Sequence, residues 1–204
     1  MVLSWTGLLL VLFLVLHLGG VALAVVAPAP FERYAAHLHQ APWLPAAELA
    51  LLAVALAHIG LSLHKAWGNA RAGNRARLSS RRRDPLAAWA ARFQAGGGAV
   101  LLGFLVVHLV QLRWPRPSAG LELAALQEVL RQPALLLLYV CGALAAGLHL
   151  FHGGEAAQRS LGLLSPSNAL AIRLSGRSLA VLVGGGFALV ALMLGIPAWV
   201  GVQP

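Results

Sequence analysis

The chain has 204 residues, 59% of them hydrophobic and only 10% charged, with a formal net charge of +9. Soluble domains carry about a quarter charged residues, so this composition, with a mean hydropathy of +0.78, excludes an ordinary water-soluble globule and points to lipid as the solvent. The basic residues fall in the connections between apolar runs, which suits lipid headgroups and topology and argues against a nucleic-acid partner. Cys141 is the single cysteine and no C-x-x-C-H occurs, which excludes an internal disulfide, cysteine-ligated iron–sulfur and covalent c-type haem.

Crossing the hydrocarbon takes about 20 apolar helical residues. Five runs meet that length, at 3–26, 46–66, 94–114, 133–153 and 178–200. The fold class expected is therefore an all-α integral membrane protein of five transmembrane helices in a single domain, 1–204, with the first four helices forming a bundle. The first run ends in "VALAVVAPAP", whose A-x-A-like site raises the alternative of a cleaved signal peptide. No basic n-region precedes it and the run exceeds a usual h-region, so it reads as a span.

The first connection, "APAPFERYAAHLHQAPWLP", carries His37 and His39, which are expected to be solvated. In the second, "DPLAAWAARF" predicts a helix start with Asp84 as N-cap and Pro85 at the first helical position. Trp5, Trp43, Trp67, Trp89, Trp114 and Trp199 lie near span ends, as an interfacial aromatic belt requires. Counted through Arg92, the second connection holds Lys65, Arg71, Arg75, Arg77, Arg81, Arg82, Arg83 and Arg92, and the fourth holds Arg159, Arg173 and Arg177. The first and third hold Arg33, Arg113, Arg116 and Arg131. That bias predicts a cytoplasmic N-terminus and an external C-terminus.

Ionisable residues inside a membrane are costly and mark functional interiors. His17, His58, His108 and His149 fall one to each of the first four spans. By position, His17 and His108 share the outer half, and His58 and His149 share the inner half. Each level thus has two imidazoles from different helices, the donor set for a six-coordinate haem iron. Small residues nearby, Gly19, Gly20, Gly60, Gly103, Gly142 and Gly147, leave room for a flat macrocycle. Zinc fits poorly, because its structural sites want four close ligands. A histidine proton relay, as in a haem-free proton or metal transporter, stays open. So does replacement of a ligand by His64 or His152, which lie closer to the inner surface and otherwise read as interfacial hydrogen-bonding residues. Among the acids, Glu48 at the start of span two and Glu32 in the first connection are the quinone-proton candidates.

The motif order resembles one family. "WTGLLLVLFLVLHLGG", "FERYAAHLHQAPWLPAAELALLAVALAHIGLSL", "ARFQAGGGAVLLGFLVVHLVQL" and "YVCGALAAGLHLFHGGEAAQRSLGL" are similar, in order, to the four haem-bearing segments of one anchor type. This is the five-helix, di-haem cytochrome b membrane anchor of bacterial succinate dehydrogenases and fumarate reductases. One departure is "GGEAAQ", where the family often has an aromatic and a serine after the glycine.

The resemblance implies two b-type haems, a proximal one on His58 and His149 and a distal one on His17 and His108. It implies flavoprotein and iron–sulfur partner subunits, and a membrane quinone, menaquinone rather than ubiquinone. The bacterial cytoplasmic membrane is the implied location, within the respiratory chain and tricarboxylic acid cycle. Succinate chemistry would occur on a partner subunit, so no catalytic residue is assigned here. The cytochrome b subunit of a formate dehydrogenase or hydrogenase is the alternative of the same type. The arginine-rich second connection, Arg81–Arg83 above all, is expected either to dock soluble subunits or to contact anionic lipid.

Overall fold

A computed structural model describes residues 1–73 and 84–196. Arg75, Arg77, Arg81, Arg82, Arg83 and Trp199 lie outside the described residues. Within them the chain is all helical, in the order α1 Val2–Val26, α2 Pro28–Gln40, α3 Leu44–Arg71, α4 Pro85–His108, α5 Glu122–Leu130, α6 Pro133–Ser160 and α7 Ala169–Gly195. A π-helical turn, Leu109–Arg113, extends α4 without a break. Five helices, α1, α3, α4 with its π turn, α6 and α7, are long and apolar enough to cross a membrane.

Local chemistry explains most of the boundaries. Prolines stand in the first turn of α2, α3, α4 and α6, where a missing N–H costs nothing. Asp84 caps α4 by accepting the Ala87 N–H at 3.0 Å. Gly162, at φ 74°, closes α6: its N–H donates to the Arg159 carbonyl and the Leu163 N–H donates to the Gln158 carbonyl, a Schellman stop.

Several boundaries differ from the sequence reading. α4 begins at Pro85, as the Asp84–Pro85 signature predicts, and runs straight into the apolar run at 94, so the third spanning helix is longer than that run alone. The fifth begins at Ala169, since "ALAIRLSGR" continues helically into the span, and the second and fourth run on to Arg71 and Ser160. The first and third connections, for which the sequence reading proposed no helix, contain α2 and α5. Both are short amphipathic helices that pack against each other at one end of the bundle.

Five crossings alternate in direction. One end, the α2/α5 end, gathers the close of α1, α4 and α7; the other gathers Met1, Arg71, Asp84 and the α6–α7 connection. A buried cluster under α2 and α5 joins Ala24, Phe31, Ala35, Leu130, Leu136, Tyr139, Ala191 and Leu194. A second, deeper cluster of Leu150, Ala180 and Val183 holds α6 and α7 against Val11 and Leu14 of α1. The axis of the bundle is the α6–α7 pair. There a Cβ at Gly184 would lie 2.8 Å from the Gly147 Cα and 3.0 Å from the Ala143 carbonyl oxygen. Without a hydrophobic drive between helices in lipid, such close backbone approach supplies the packing energy. α3, by contrast, leans mainly on α1 and has little backbone contact with α4 or α6.

Candidate functional site: two histidine pairs

His17 on α1 and His108 on α4 face each other, with ring centroids 6.0 Å apart and planes turned by 76°. His58 on α3 and His149 on α6 form the second pair, at 6.3 Å and 71°. Along α1, Thr6, which touches His58, and His17 are eleven residues apart, so the two levels are separated by about 16 Å. On α6, Tyr139 contacts His108 and His149 lies ten residues on, which gives about 15 Å by the same helical rise. Two helices thus give the same spacing independently.

The walls of the two pairs differ. His17 stacks on Phe13 at 5.3 Å and meets Phe187 of α7 at 5.6 Å. His108 lies between Phe104, at 5.7 Å, and Tyr139, at 5.9 Å. Tyr139 donates its hydroxyl to Gln111 Oε1 at 3.1 Å, and Gln111 belongs to the π turn that follows His108. Such turns are frequent at functional sites. At the other level the surroundings are polar: Thr6 Oγ1 lies 3.2 Å from His58 Nδ1, and the Gln94 amide nitrogen lies 3.3 Å from His149 Nε2. Glycines seat both rings. A Cβ at Gly7 would approach His58 Cε1 to 3.2 Å, and one at Gly98 would reach His149 Cε1 at 3.6 Å.

An imidazole nitrogen binds a metal at about 2 Å, so two imidazoles on opposite sides of one iron have ring centroids about 6 Å apart. Both pairs meet that condition. Edge-to-face aromatic contact occupies the same distance range, so spacing alone does not separate the two cases. Among the described residues, Nδ1 of His108 and Nδ1 of His149, one in each pair, are buried without a hydrogen-bond partner. A buried polar atom left unpaired costs about 1–3 kcal/mol; coordination removes that cost at a nitrogen that carries its lone pair, which for His149 Nδ1 requires Gln94 turned over so that its oxygen accepts from Nε2. Either ring nitrogen of a histidine serves as a ligand. The four residues therefore fit two bis-imidazole irons. Among the described residues no three His, Cys, Asp or Glu side chains gather as a metal-binding group.

Comparison with protein-family models, with curated proteins and with solved structures finds no match.

His64 is exposed on α3 and His152 is half-buried on α6, and no ring contact joins either to another histidine among the described residues. His37 is exposed. His39 is not solvated as expected: its side chain is 29% exposed, and its Nδ1 is buried 3.5 Å from Glu122 Oε1. The reason is α5, a helix the hydropathy pattern does not signal, which covers this face of α2.

The two acids singled out in the sequence have distinct settings. Glu48, in the first turns of α3, is gripped by the Arg113 fork, with Nε donating to Oε1 at 2.7 Å, and Arg116 stands 3.7 Å away. Paired with two guanidinium groups, it is an acceptor in this arrangement. Glu32 caps α5, accepting the N–H groups of Glu122 and Leu123 at 3.1 and 3.0 Å. Burial pushes the Glu32 carboxyl above the usual carboxylate range, and a hydrogen bond with the Glu122 carboxyl adds to the rise. Burial also acts upward on Glu122. There, hydrogen bonds from Glu32, from its own N–H and from Gly120 outweigh it, and the group ends below its ordinary value.

Thr6, Gln94, Gln111 and Tyr139 contact the histidines or their neighbours and were not singled out by sequence reasoning. The available signal was each one's rarity: a hydroxyl or amide inside an otherwise apolar run.

Proposed function

We propose that this chain is a di-haem b membrane anchor that passes electrons between a peripheral dehydrogenase and membrane quinone. The observation that carries the reading is the two histidine pairs, each drawn from different helices, each about 6 Å across its rings. The order of the four histidine-bearing motifs supports the narrower assignment, the cytochrome b subunit of a bacterial succinate:quinone oxidoreductase. In that assignment the anchor lies in the cytoplasmic membrane, with the Asp84 end inward beside flavoprotein and iron–sulfur subunits.

Bound between these imidazoles, b-type haem supplies reversible one-electron transfer. The chain's own residues do the rest. His58 and His149 hold the proximal level, and His17 and His108 hold the distal level. Phe13, Phe104, Phe187 and Tyr139 keep the distal rings in an apolar, water-poor wall. Quinone chemistry also moves protons, and Glu48 is the acid closest to that task, at the α2/α5 end of α3. A quinol bound at that end would give its hydroxyl proton to the Glu48 carboxylate, which Arg113 and Arg116 hold in place.

The test is a reduced-minus-oxidised spectrum with a pyridine haemochromogen assay on the purified complex. Close to two haems b per chain is the expected result. None in an assembled complex overturns the reading and favours a histidine-based transporter. Flavin and iron–sulfur subunits with succinate dehydrogenase activity should co-purify; formate dehydrogenase or hydrogenase subunits would replace the narrower assignment.

A further inference from the structure

The structure assigns Thr6 as the positioning residue for His58, a role that rests on the haem reading above. Its hydroxyl accepts the Nδ1 hydrogen of His58 and thereby presents the Nε2 lone pair for iron. Thr6 is buried on α1, a different helix from His58, and its Oγ1 lies 3.0 Å from the Leu3 carbonyl oxygen and 3.2 Å from the Val2 carbonyl oxygen. Carbonyl oxygens only accept, and a threonine hydroxyl has one hydrogen to give. That hydrogen goes back to the preceding turn, as mid-helix threonines commonly do. With that hydrogen on a carbonyl, the third contact, 3.2 Å to His58 Nδ1, runs the other way, the imidazole donating and the hydroxyl oxygen accepting, and the Leu3 backbone offers the same ring a second acceptor.

A neutral imidazole has one N–H. With it fixed on Nδ1, the lone pair is on Nε2. The opposite tautomer would leave the hydroxyl hydrogen claimed by both a carbonyl and a ring nitrogen. Gly7 completes the seat, because a Cβ there would crowd His58 Cε1 at 3.2 Å. His149 has no equivalent lock: Gln94 can donate from its amide nitrogen or, turned over, accept at its oxygen, so it tolerates either tautomer. One ligand of the proximal pair is therefore set before any metal arrives, and the other adapts.

A hydrogen bond to the far nitrogen of a ligating histidine fixes ring orientation and raises its basicity, and losing such a partner changes metal affinity or activity by about 10- to 100-fold. A more basic imidazole favours the ferric state. Thr6→Val, which keeps the shape and removes the hydroxyl, should raise the midpoint potential of one of the two haems and leave the other unchanged. A tenfold shift in ferric over ferrous preference corresponds to about 59 mV for a one-electron couple. Thr6→Ser should restore the wild-type value.

The measurement is an optically monitored redox titration of the complex, with electron paramagnetic resonance of the ferric haems. Two haems with wild-type potentials and g-values in Thr6→Val would overturn the assignment while leaving the haem reading intact. Loss of one haem in Thr6→Val with rescue by Thr6→Ser supports it; loss without rescue counts against it. Should the wild-type chain bind no haem, the haem reading fails first. Nitrogen-15 shifts of the histidine rings then judge the tautomer alone, and an Nε2–H His58 sinks the inference.

Discussion

The α6–α7 pair and the α1, α3 and α4 group are built from similarly apolar sequence, yet they pack differently. In α6 and α7, 39% of the most apolar stretch is buried inside the protein; in α1, α3 and α4 the share is 6%, 0% and 6%. The first pair is knit by glycine and alanine at backbone contact. The second group carries three of the four paired histidines, and its contacts combine rings and polar atoms with apolar packing such as Val11 and Leu14 of α1 against α6 and α7. Helices that bind each other need small residues at the crossing. On the proposed haem reading, α1, α3 and α4 together with His149 of α6 frame the site, and the α6–α7 crossing is its scaffold.

The largest effect should come from the ligands. His58→Ala or His149→Ala should remove one haem signal, and His17→Ala or His108→Ala the other, while His64→Ala and His152→Ala keep both; visible spectra of the purified complex decide it. An unchanged spectrum in His58→Ala would move the ligand to another histidine. Next, Glu48→Gln should slow quinone-linked electron transfer about a hundredfold or more, the range a general acid–base group contributes. Haem content should stay at wild type, because Glu48 contacts Arg113 and Arg116 rather than a paired imidazole.

Glycines sharpen the contrast. Gly184→Ala forces a methyl onto the α6 backbone and should cost about 1–3 kcal/mol, the usual range for overpacking, read from thermal unfolding in detergent. Gly103→Ala meets nothing within 4 Å and should leave the fold unharmed. Equal losses at both positions would erase the distinction between scaffold and site.

The smallest effects lie at the two ends. Glu32 has a raised pKa, so its contribution is fully present below the ordinary carboxylate range and is lost as pH rises through its folded value. Glu32→Gln keeps an acceptor for one of the two α5 N–H groups and should flatten that loss of thermal midpoint with rising pH. Asp84 has the opposite sign. The Ala87 N–H, then Arg177, hold its carboxyl low, so its contribution persists above the ordinary range and fades as pH falls. Asp84→Asn should weaken that acid dependence by a small amount.

Much of this was written along the chain. Length and hydropathy determined five membrane helices, because lipid requires every backbone group to be bonded within its own segment. The proline and aspartate at 84–85 determined where α4 starts. Position along alternating spans also put His17 level with His108 and His58 level with His149, since a rise of 1.5 Å per residue turns sequence number into depth. Depth, however, says nothing about rotation around a helix axis. Whether two histidines at one level face each other or face lipid was decided by tertiary packing. So was the burial of His39 under α5, the Arg113 fork on Glu48 and the reach of Thr6 to His58. Each joins residues far apart in sequence whose meeting depends on how rods turn and cross, and a pattern of apolar residues with no polar stripe cannot encode that angle by itself.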